Sequence, residues 1–126
     1  MVMPPPVGVV GLGAMGLHLA RRLARRVPPP HVFDTNPAAV SAAVGGGCVA
    51  ANDAAAAVNH QMVLTSLPRS SDVNRLALDA LEAGTVQPGL IWVDMTSGHP
   101  DESRATAAAL KESGAWFLDA GVAGGP

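Results

Sequence analysis

Three glycines near the start of the chain have a spacing that lets a backbone turn approach a phosphate group. Gly11, Gly13 and Gly16 stand between an apolar run and a helical pattern, within VGVVGLGAMGLHLARRLARRV. In G-x-G-x-x-G the first glycine permits a tight turn, the second lets the backbone approach a pyrophosphate, and the third lets helix and strand pack closely. The helix N-terminus adds unpaired N–H groups and a partial positive charge. This context favours a dinucleotide site over the alternative, glycines that only shape a connection.

A carboxylate follows at the place where a dinucleotide's adenosine ribose would need one. Asp34 ends the second apolar run, 18 positions after Gly16. Such a carboxylate accepts hydrogen bonds from the ribose hydroxyls of NAD, whereas an NADP site more usually offers an arginine at or just after this position. Thr35 and Asn36 follow instead, which favours NAD, although a short polar pair can also accept a phosphate. The predicted cofactor contacts of this region are Gly11, Leu12, Gly13, Ala14, Met15, Gly16, Asp34, Thr35 and Asn36.

Alternating strand and helix patterns must position these residues. Apolar runs of strand length recur at residues 7–10, 31–34, 48–50, 61–66, 90–94 and 115–118. Between them, helical spacing predicts helices over about residues 14–27, 37–44, 53–58, 72–83 and 100–113. Asn36, Asn52 and Ser70 or Ser71 are the predicted N-caps. This alternation predicts an α/β fold of the Rossmann type, a doubly wound parallel sheet of about six strands with helices on both faces.

Length and composition narrow the functional classes. The chain has 126 residues, which fits one domain, and its 48% hydrophobic and 14% charged content is that of a packed protein. The single Cys48 and four scattered histidines imply neither a disulfide nor a metal site. No apolar run is long enough to span a membrane and no targeting segment is seen, so we expect a cytoplasmic location, with a mitochondrial one left open.

A net charge of −2 gives no general attraction to nucleic acids. The candidate basic patch comprises Arg21, Arg22, Arg25 and Arg26, all predicted on the outer face of the first helix. A solvated helix face is the favoured interpretation, and a nucleic-acid patch is the alternative. We expect no nucleic-acid partner.

Five ordered segments resemble one enzyme family: VGVVGLGAMG, VFDTNP, TSLPRSSDV, WVDMTSGHP and FLDAGVAGG. They are similar to the β-hydroxyacid dehydrogenases, which include 3-hydroxyisobutyrate dehydrogenase and are related to 6-phosphogluconate dehydrogenase. The resemblance covers nearly the whole chain. It implies an NAD(P)-binding domain that serves hydride transfer between a nicotinamide cofactor and a small 3-hydroxy carboxylic acid.

The resemblance also implies further site residues. Leu67 and Pro68 match a pair that lines the cofactor, although Pro68 could merely end a strand. Thr96 and Ser97 match a hydroxyl pair near the nicotinamide ribose, although either could cap the helix that begins near Pro100. Ala123, Gly124 and Gly125 match a segment that holds the substrate carboxylate. There the family's proline and serine are replaced by Gly121 and Ala123, so one hydroxyl contact to substrate is missing.

No catalytic residue is expected within the chain. In the family, a second, all-helical domain supplies a catalytic lysine, whereas Lys111 falls on the polar face of a predicted helix. Asp94 and Asp119 end predicted strands, and turn or cap duties explain them better than acid or base work. We therefore expect residues 1–126 to be the NAD(P)-binding domain alone, with little activity and only weak oligomerisation. The alternative is a free-standing dinucleotide-binding module with a sensing or interaction role.

Overall fold

The computed structural model describes residues 4–26 and 28–121 of the chain. Its strands are β1 (Gly8–Val10), β2 (His31–Phe33), β3 (Val49–Ala50), β4 (Met62–Thr65), β5 (Ile91–Asp94) and β6 (Trp116–Asp119). Within the described residues these six parallel strands form one sheet in the order β3-β2-β1-β4-β5-β6. The helices are α1 (Ala14–Leu23), α2 (Pro37–Gly45), α3 (Ala54–Val58), α4 (Ser70–Ala83) and α5 (Pro100–Glu112). The predicted α/β doubly wound fold is confirmed.

Neighbouring residues of β1 serve two separate cores, one on each face of the sheet. Val9 packs in a cluster with residues of α1 and α2, including Ala20 and Ala43. Val10 belongs to the opposite cluster, which α3, α4 and α5 cover and which contains the fully buried Trp92. Successive side chains of a strand point to opposite faces, so a strand buried on both faces must be apolar throughout. This explains the continuous apolar runs in the sequence.

One part of the sheet is apolar but uncovered. Met62, Ile91 and Trp116 are aligned across β4, β5 and β6 by the strand register. All three are exposed, Trp116 to 66%, and Leu118 on the same face of β6 is 53% exposed. On the same face of the sheet, the described helices α1 and α2 pack over β1 and β2. We call Met62, Ile91, Trp116 and Leu118 the open face.

Most predicted element boundaries lie within a residue or two of the observed ones, but the end of α1 was predicted too late. The helix ends at Leu23 rather than near Val27. The N–H groups of Arg25 and Arg26 donate to the carbonyls of Arg22 and Leu23, three residues earlier. The last turn therefore tightens before the prolines, and Arg25 and Arg26 follow the helix instead of lying on its face.

Two predicted N-caps are wrong and one is confirmed. Asn36 accepts a hydrogen bond from the Ala38 N–H at 3.0 Å, as predicted for the cap of α2. At α3 the cap is Asp53, whose carboxylate accepts from the Ala56 N–H at 2.7 Å, and not Asn52.

At α4 neither serine is the cap, because the helix already begins at Ser70 and Arg69 occupies the N-cap position. The Ser70 hydroxyl instead accepts a hydrogen bond from the His99 N–H, which joins α4 to the segment before α5. None of the helices in the described ranges combines the length and hydropathy of a membrane span.

Candidate functional site: a cleft at the carboxyl ends of the strands

The glycine turn joins β1 to α1, and its first and third glycines are required by the fold. Gly11 has φ of +97°, and a Cβ there would lie 2.1 Å from the Ser66 carbonyl oxygen. A Cβ on Gly16 would lie 1.8 Å from the carbonyl oxygen of Gly11. Both distances are far inside van der Waals contact. A side chain at Gly11 would displace the segment that follows β4, and one at Gly16 would push α1 away from the end of β1.

Gly13 differs from its two neighbours in the motif. A Cβ on Gly13 would meet no atom of the described residues within 4 Å, and Gly13 is exposed at the N-cap of α1. No side chain forms a capping hydrogen bond at this helix end. The backbone therefore borders open space where helix N–H groups face outward, which fits the approach of a pyrophosphate.

Asp34 is tied directly to this turn. Its Oδ2 accepts a hydrogen bond from the Leu12 N–H at 2.6 Å, and its Oδ1 accepts from the Asn36 N–H at 2.8 Å. The carboxylate thus fixes the end of β2 against the glycine turn. A carboxylate has about four acceptor positions in all, so Asp34 retains capacity for hydroxyl donors.

A cavity of about 580 Å³ connects these features at the carboxyl ends of β1, β2 and β4. Its lining includes six of the predicted site residues, namely Gly11, Gly13, Asp34, Thr35, Leu67 and Pro68. Ligands of open parallel sheets bind at this end of the strands, where the strand order reverses about β1 and β4. The predicted residues Leu12, Ala14, Met15, Gly16, Asn36, Thr96 and Ser97 do not line this cavity.

Thr96 forms a hydrogen bond with the backbone of Leu67, which lines the cavity. Its Oγ1 accepts a hydrogen bond from the Leu67 N–H at 2.9 Å, and the residue is buried. Ser97 is exposed beside it. Neither caps α5, because His99 is the N-cap residue and no side chain forms a cap bond there.

β4 ends at Thr65, so Pro68 does not end the strand directly. Contact of Leu67, Pro68, Thr96 and Ser97 with the cofactor stays a prediction.

Asp94 and Asp119, the carboxylates at the ends of β5 and β6, are engaged in local contacts. Asp94 is 1% exposed, and its Oδ1 accepts hydrogen bonds from the Thr65 hydroxyl at 2.8 Å and from the Thr96 N–H at 3.0 Å. Asp119 Oδ1 accepts from the Gly121 N–H at 3.1 Å. Each carboxylate accepts the N–H two residues further on, which matches the turn role that the sequence favoured; neither is the N-cap of a helix in the described ranges.

Comparison with known proteins identifies the family. The sequence pattern of the NAD binding domain of 6-phosphogluconate dehydrogenase matches residues 6–126. The chain belongs to this family. The match confirms the predicted resemblance and the predicted class of cofactor, a nicotinamide dinucleotide.

Individual relatives agree with this membership. Mitochondrial 3-hydroxyisobutyrate dehydrogenase of Drosophila melanogaster is 34% identical over 120 residues, which are 94% of this chain and 37% of the relative. The NAD-dependent L-serine dehydrogenase of Pseudomonas aeruginosa is 35% identical, with 94% of this chain and 41% of the relative covered.

Among solved structures, Mycobacterium tuberculosis 3-hydroxyisobutyrate dehydrogenase with L-serine has a TM-score of 0.88 and 29% identity. That alignment covers 98% of this chain and 42% of the dehydrogenase. The chain thus spans about two fifths of the length of the relatives it matches.

The sequence analysis did not predict that one face of α4, which carries three charged residues, lines the cavity of this NAD-binding domain. Asp72, Arg75 and Asp79 line the cavity together with Leu76. Their positions follow i, i+3, i+4 and i+7, so they share one helix face. The spacing was visible in the sequence. That this face borders the cleft follows only from the packing of α4 beside α3.

The predicted substrate contacts Ala123, Gly124 and Gly125 lie outside the described residues. Within residues 4–26 and 28–121, no group of three or more His, Cys, Asp or Glu side chains is arranged to hold a metal ion.

Proposed function

We propose that this domain binds NAD in preference to NADP, with the pyrophosphate at Gly13 and the adenosine ribose at Asp34. The open space at Gly13, directly beside a carboxylate anchored to the same turn, is the observation that carries the proposal. Helix N–H groups would hold the phosphates, and the remaining acceptor positions of Asp34 would take the ribose hydroxyls. Bound in this way, the cofactor supplies a nicotinamide ring that accepts or delivers hydride.

The charges of the cavity wall support NAD over NADP. Three carboxylates, of Asp34, Asp72 and Asp79, line the cavity, against the single guanidinium of Arg75. NADP carries an additional phosphate on the adenosine ribose. This phosphate replaces the hydroxyl from which Asp34 would accept a hydrogen bond in NAD. Like charges brought together in a partly enclosed cavity repel each other. The relative from Pseudomonas aeruginosa is likewise called NAD-dependent.

The nicotinamide half would lie toward β4 and β5. Leu67 and Pro68 line the cavity at the end of β4, and Thr96 positions the Leu67 backbone through its hydroxyl. We assign contacts with this half of the cofactor to Leu67, Pro68, Thr96 and Ser97. The Thr96 hydroxyl accepts the Leu67 N–H and the residue is buried, whereas Ser97 is exposed. Ser97 is therefore the hydroxyl of the pair that is accessible to a ligand.

The reaction served by this domain is proposed to be hydride transfer with a small 3-hydroxy carboxylic acid. The relative from Drosophila melanogaster is a 3-hydroxyisobutyrate dehydrogenase, which supports this class. Backbone amides of Gly124 and Gly125 would hold the substrate carboxylate without the hydroxyl that Ala123 lacks. The family resemblance implies that a lysine outside residues 1–126 transfers the proton, and Lys111, exposed at the end of α5, does not line the cavity. We therefore expect binding without steady turnover from residues 1–126.

Substitution of Asp34 tests the cofactor assignment. Asp34→Asn removes the negative charge and leaves one acceptor oxygen for the two backbone N–H groups that the carboxylate binds, so NADH affinity should fall about tenfold or more. NADPH affinity should fall less or rise, since the repulsion is removed. Titration of both nucleotides into wild type and variant measures the ratio, with Glu82→Gln, an exposed position on α4, as the matched control. Tighter binding of NADPH than NADH to the wild type would contradict the assignment.

A further inference from the structure

Arg75 occupies a position from which it can reach a ligand in the cleft. It lies on α4, is exposed, and lines the cavity on the same wall as the buried Leu76. Asp34 and Thr35 line the same cavity from the end of β2. A long cationic side chain therefore shares one cavity with the proposed ribose site.

Arg75 is not held in place by an ion pair within the described part of the chain. The ion pairs recorded there are Arg69–Asp72, at 3.5 Å, and Arg104–Asp101. Asp72, three residues before Arg75, is thus engaged by Arg69 instead. The Arg75 guanidinium keeps its donors and its flat face available to a ligand.

The proposed cofactor orientation brings the adenine ring to this part of the cavity. If the pyrophosphate lies at Gly13 and the ribose at Asp34, we place the base in the remainder of the same cavity, away from the glycine turn. The lining there would include Ala54 on α3 and Leu76 on α4. Such apolar walls suit the faces of a purine ring, and Arg75 precedes Leu76 on the same helix face.

We infer that Arg75 closes over the adenine ring, with its guanidinium stacked on the purine face. The inference rests on the proposed function, because it takes the ribose position from Asp34. A guanidinium is planar and weakly hydrated, and it stacks on aromatic faces more readily than an ammonium group does. The alternative role, pairing with a ribose phosphate of NADP, conflicts with the carboxylates of Asp34, Asp72 and Asp79 in the same lining.

The test compares Arg75→Ala and Arg75→Lys with wild type, using NADH, NADPH and ADP-ribose as titrants. Stacking on adenine predicts that Arg75→Ala weakens all three by a similar factor, about threefold to tenfold. Arg75→Lys should recover little of the loss, because it restores the charge without the plane. Arg22→Ala removes an exposed arginine of α1 that does not line the cavity, and should leave all three affinities unchanged. Thermal melts should be unaffected, since Arg75 is exposed.

Each contrary result has a distinct meaning. Unchanged affinities in Arg75→Ala would overturn the inference and leave the proposed function standing, because NADH would still bind. A loss confined to NADPH, or full recovery by Arg75→Lys, would also overturn it in favour of a phosphate contact. Failure of wild type to bind NADH would contradict the proposed function itself.

Discussion

At the scale of single residues, the three glycines of the turn have different roles: two are required by the fold, and one leaves space for a ligand. Gly11 and Gly16 stand where an added Cβ would collide with backbone carbonyl oxygens, whereas Gly13 borders open space. One motif therefore contains two kinds of glycine. The difference can be tested because both kinds can be replaced by the same side chain.

Gly13→Ala and Gly16→Ala should have different effects on stability and on binding. In Gly16→Ala the methyl group would lie 1.8 Å from the Gly11 carbonyl oxygen, so α1 must shift. We expect this variant to lose about 1–3 kcal/mol of unfolding free energy, as overpacked sites do. Gly13→Ala should unfold like wild type but bind NADH more weakly, because its methyl group occupies space beside the pyrophosphate. Denaturant unfolding and NADH titration measure both effects, and equal destabilisation of the two variants would contradict the assignment.

A histidine pair predicts how stability depends on pH. His60 is buried, its Nδ1 lies 2.8 Å from the Ala57 carbonyl oxygen, and its ring centre is 4.8 Å from that of His31. Burial lowers the pKa of His60; the bond to the Ala57 carbonyl opposes this shift and the charge of His31 adds to it. Because the folded-state pKa lies below the unfolded value of about 6.5, the unfolded state takes up the proton first as the pH falls.

Stability is therefore fully present above the unfolded pKa and is lost as the pH falls through it toward the folded pKa. We expect the free energy of unfolding, measured with denaturant, to fall as the pH is lowered through about 6.5, and to fall less in His60→Gln. His18→Gln, at an exposed position of α1, provides the control and should retain the wild-type dependence. An identical pH dependence in His60→Gln and wild type would show that His60 does not contribute.

At the scale of elements, the order and type of strands and helices could be predicted because the central strands are buried on both faces and read as continuous apolar runs. Helix ends and caps were harder, because contacts distant in sequence decide them. The Ser70 hydroxyl, a good cap by residue type, is used by the His99 N–H across 29 positions. The same limit applies to the site: Gly13 and Asp34 follow from local pattern, whereas Arg75 enters the cleft only through the packing of α4.

A buried polar link between β4 and β5 gives a prediction at this scale. The Thr65 hydroxyl donates to Asp94 Oδ1 at 2.8 Å and accepts from Trp92 Nε1 at 2.9 Å. Thr65→Val keeps the shape but leaves the indole N–H without its acceptor and the carboxylate without one donor. We expect a loss of about 1–3 kcal/mol in unfolding free energy. Thr35→Val, the same change at an exposed position after β2, is the control, and equal stability of the two variants would refute the role of the link.

At the scale of the whole molecule, the open face and the cleft are separate surfaces. Trp116 and Ile91 begin their strands, whereas the cavity lies at the carboxyl ends of β1, β2 and β4. Exposed contiguous apolar surface binds hydrophobic dyes and promotes association. The relatives extend well beyond the length matched by this chain, and the open face is apolar surface that the described helices do not cover.

Substitution of Trp116 tests this separation. Trp116→Gln removes the most exposed apolar side chain of the open face, so binding of the dye anilinonaphthalene sulfonate should fall clearly. NADH affinity should be unchanged, because Trp116 does not line the cavity. Leu78→Gln, an exposed apolar position on α4, is the matched control for dye binding outside the open face. Equal dye binding by Trp116→Gln and wild type would show that the open face is not the dye site.

Calorimetric titration of the purified chain with NADH would show whether a nicotinamide dinucleotide occupies the cleft between the glycine turn, Asp34 and α4. We expect saturable binding of one NADH per chain, displaced by ADP-ribose and weakened in Gly13→Ala while the fold is retained. The absence of saturable binding at millimolar NADH by a folded wild-type chain would contradict it, as would NADH binding that Gly13→Ala leaves unchanged.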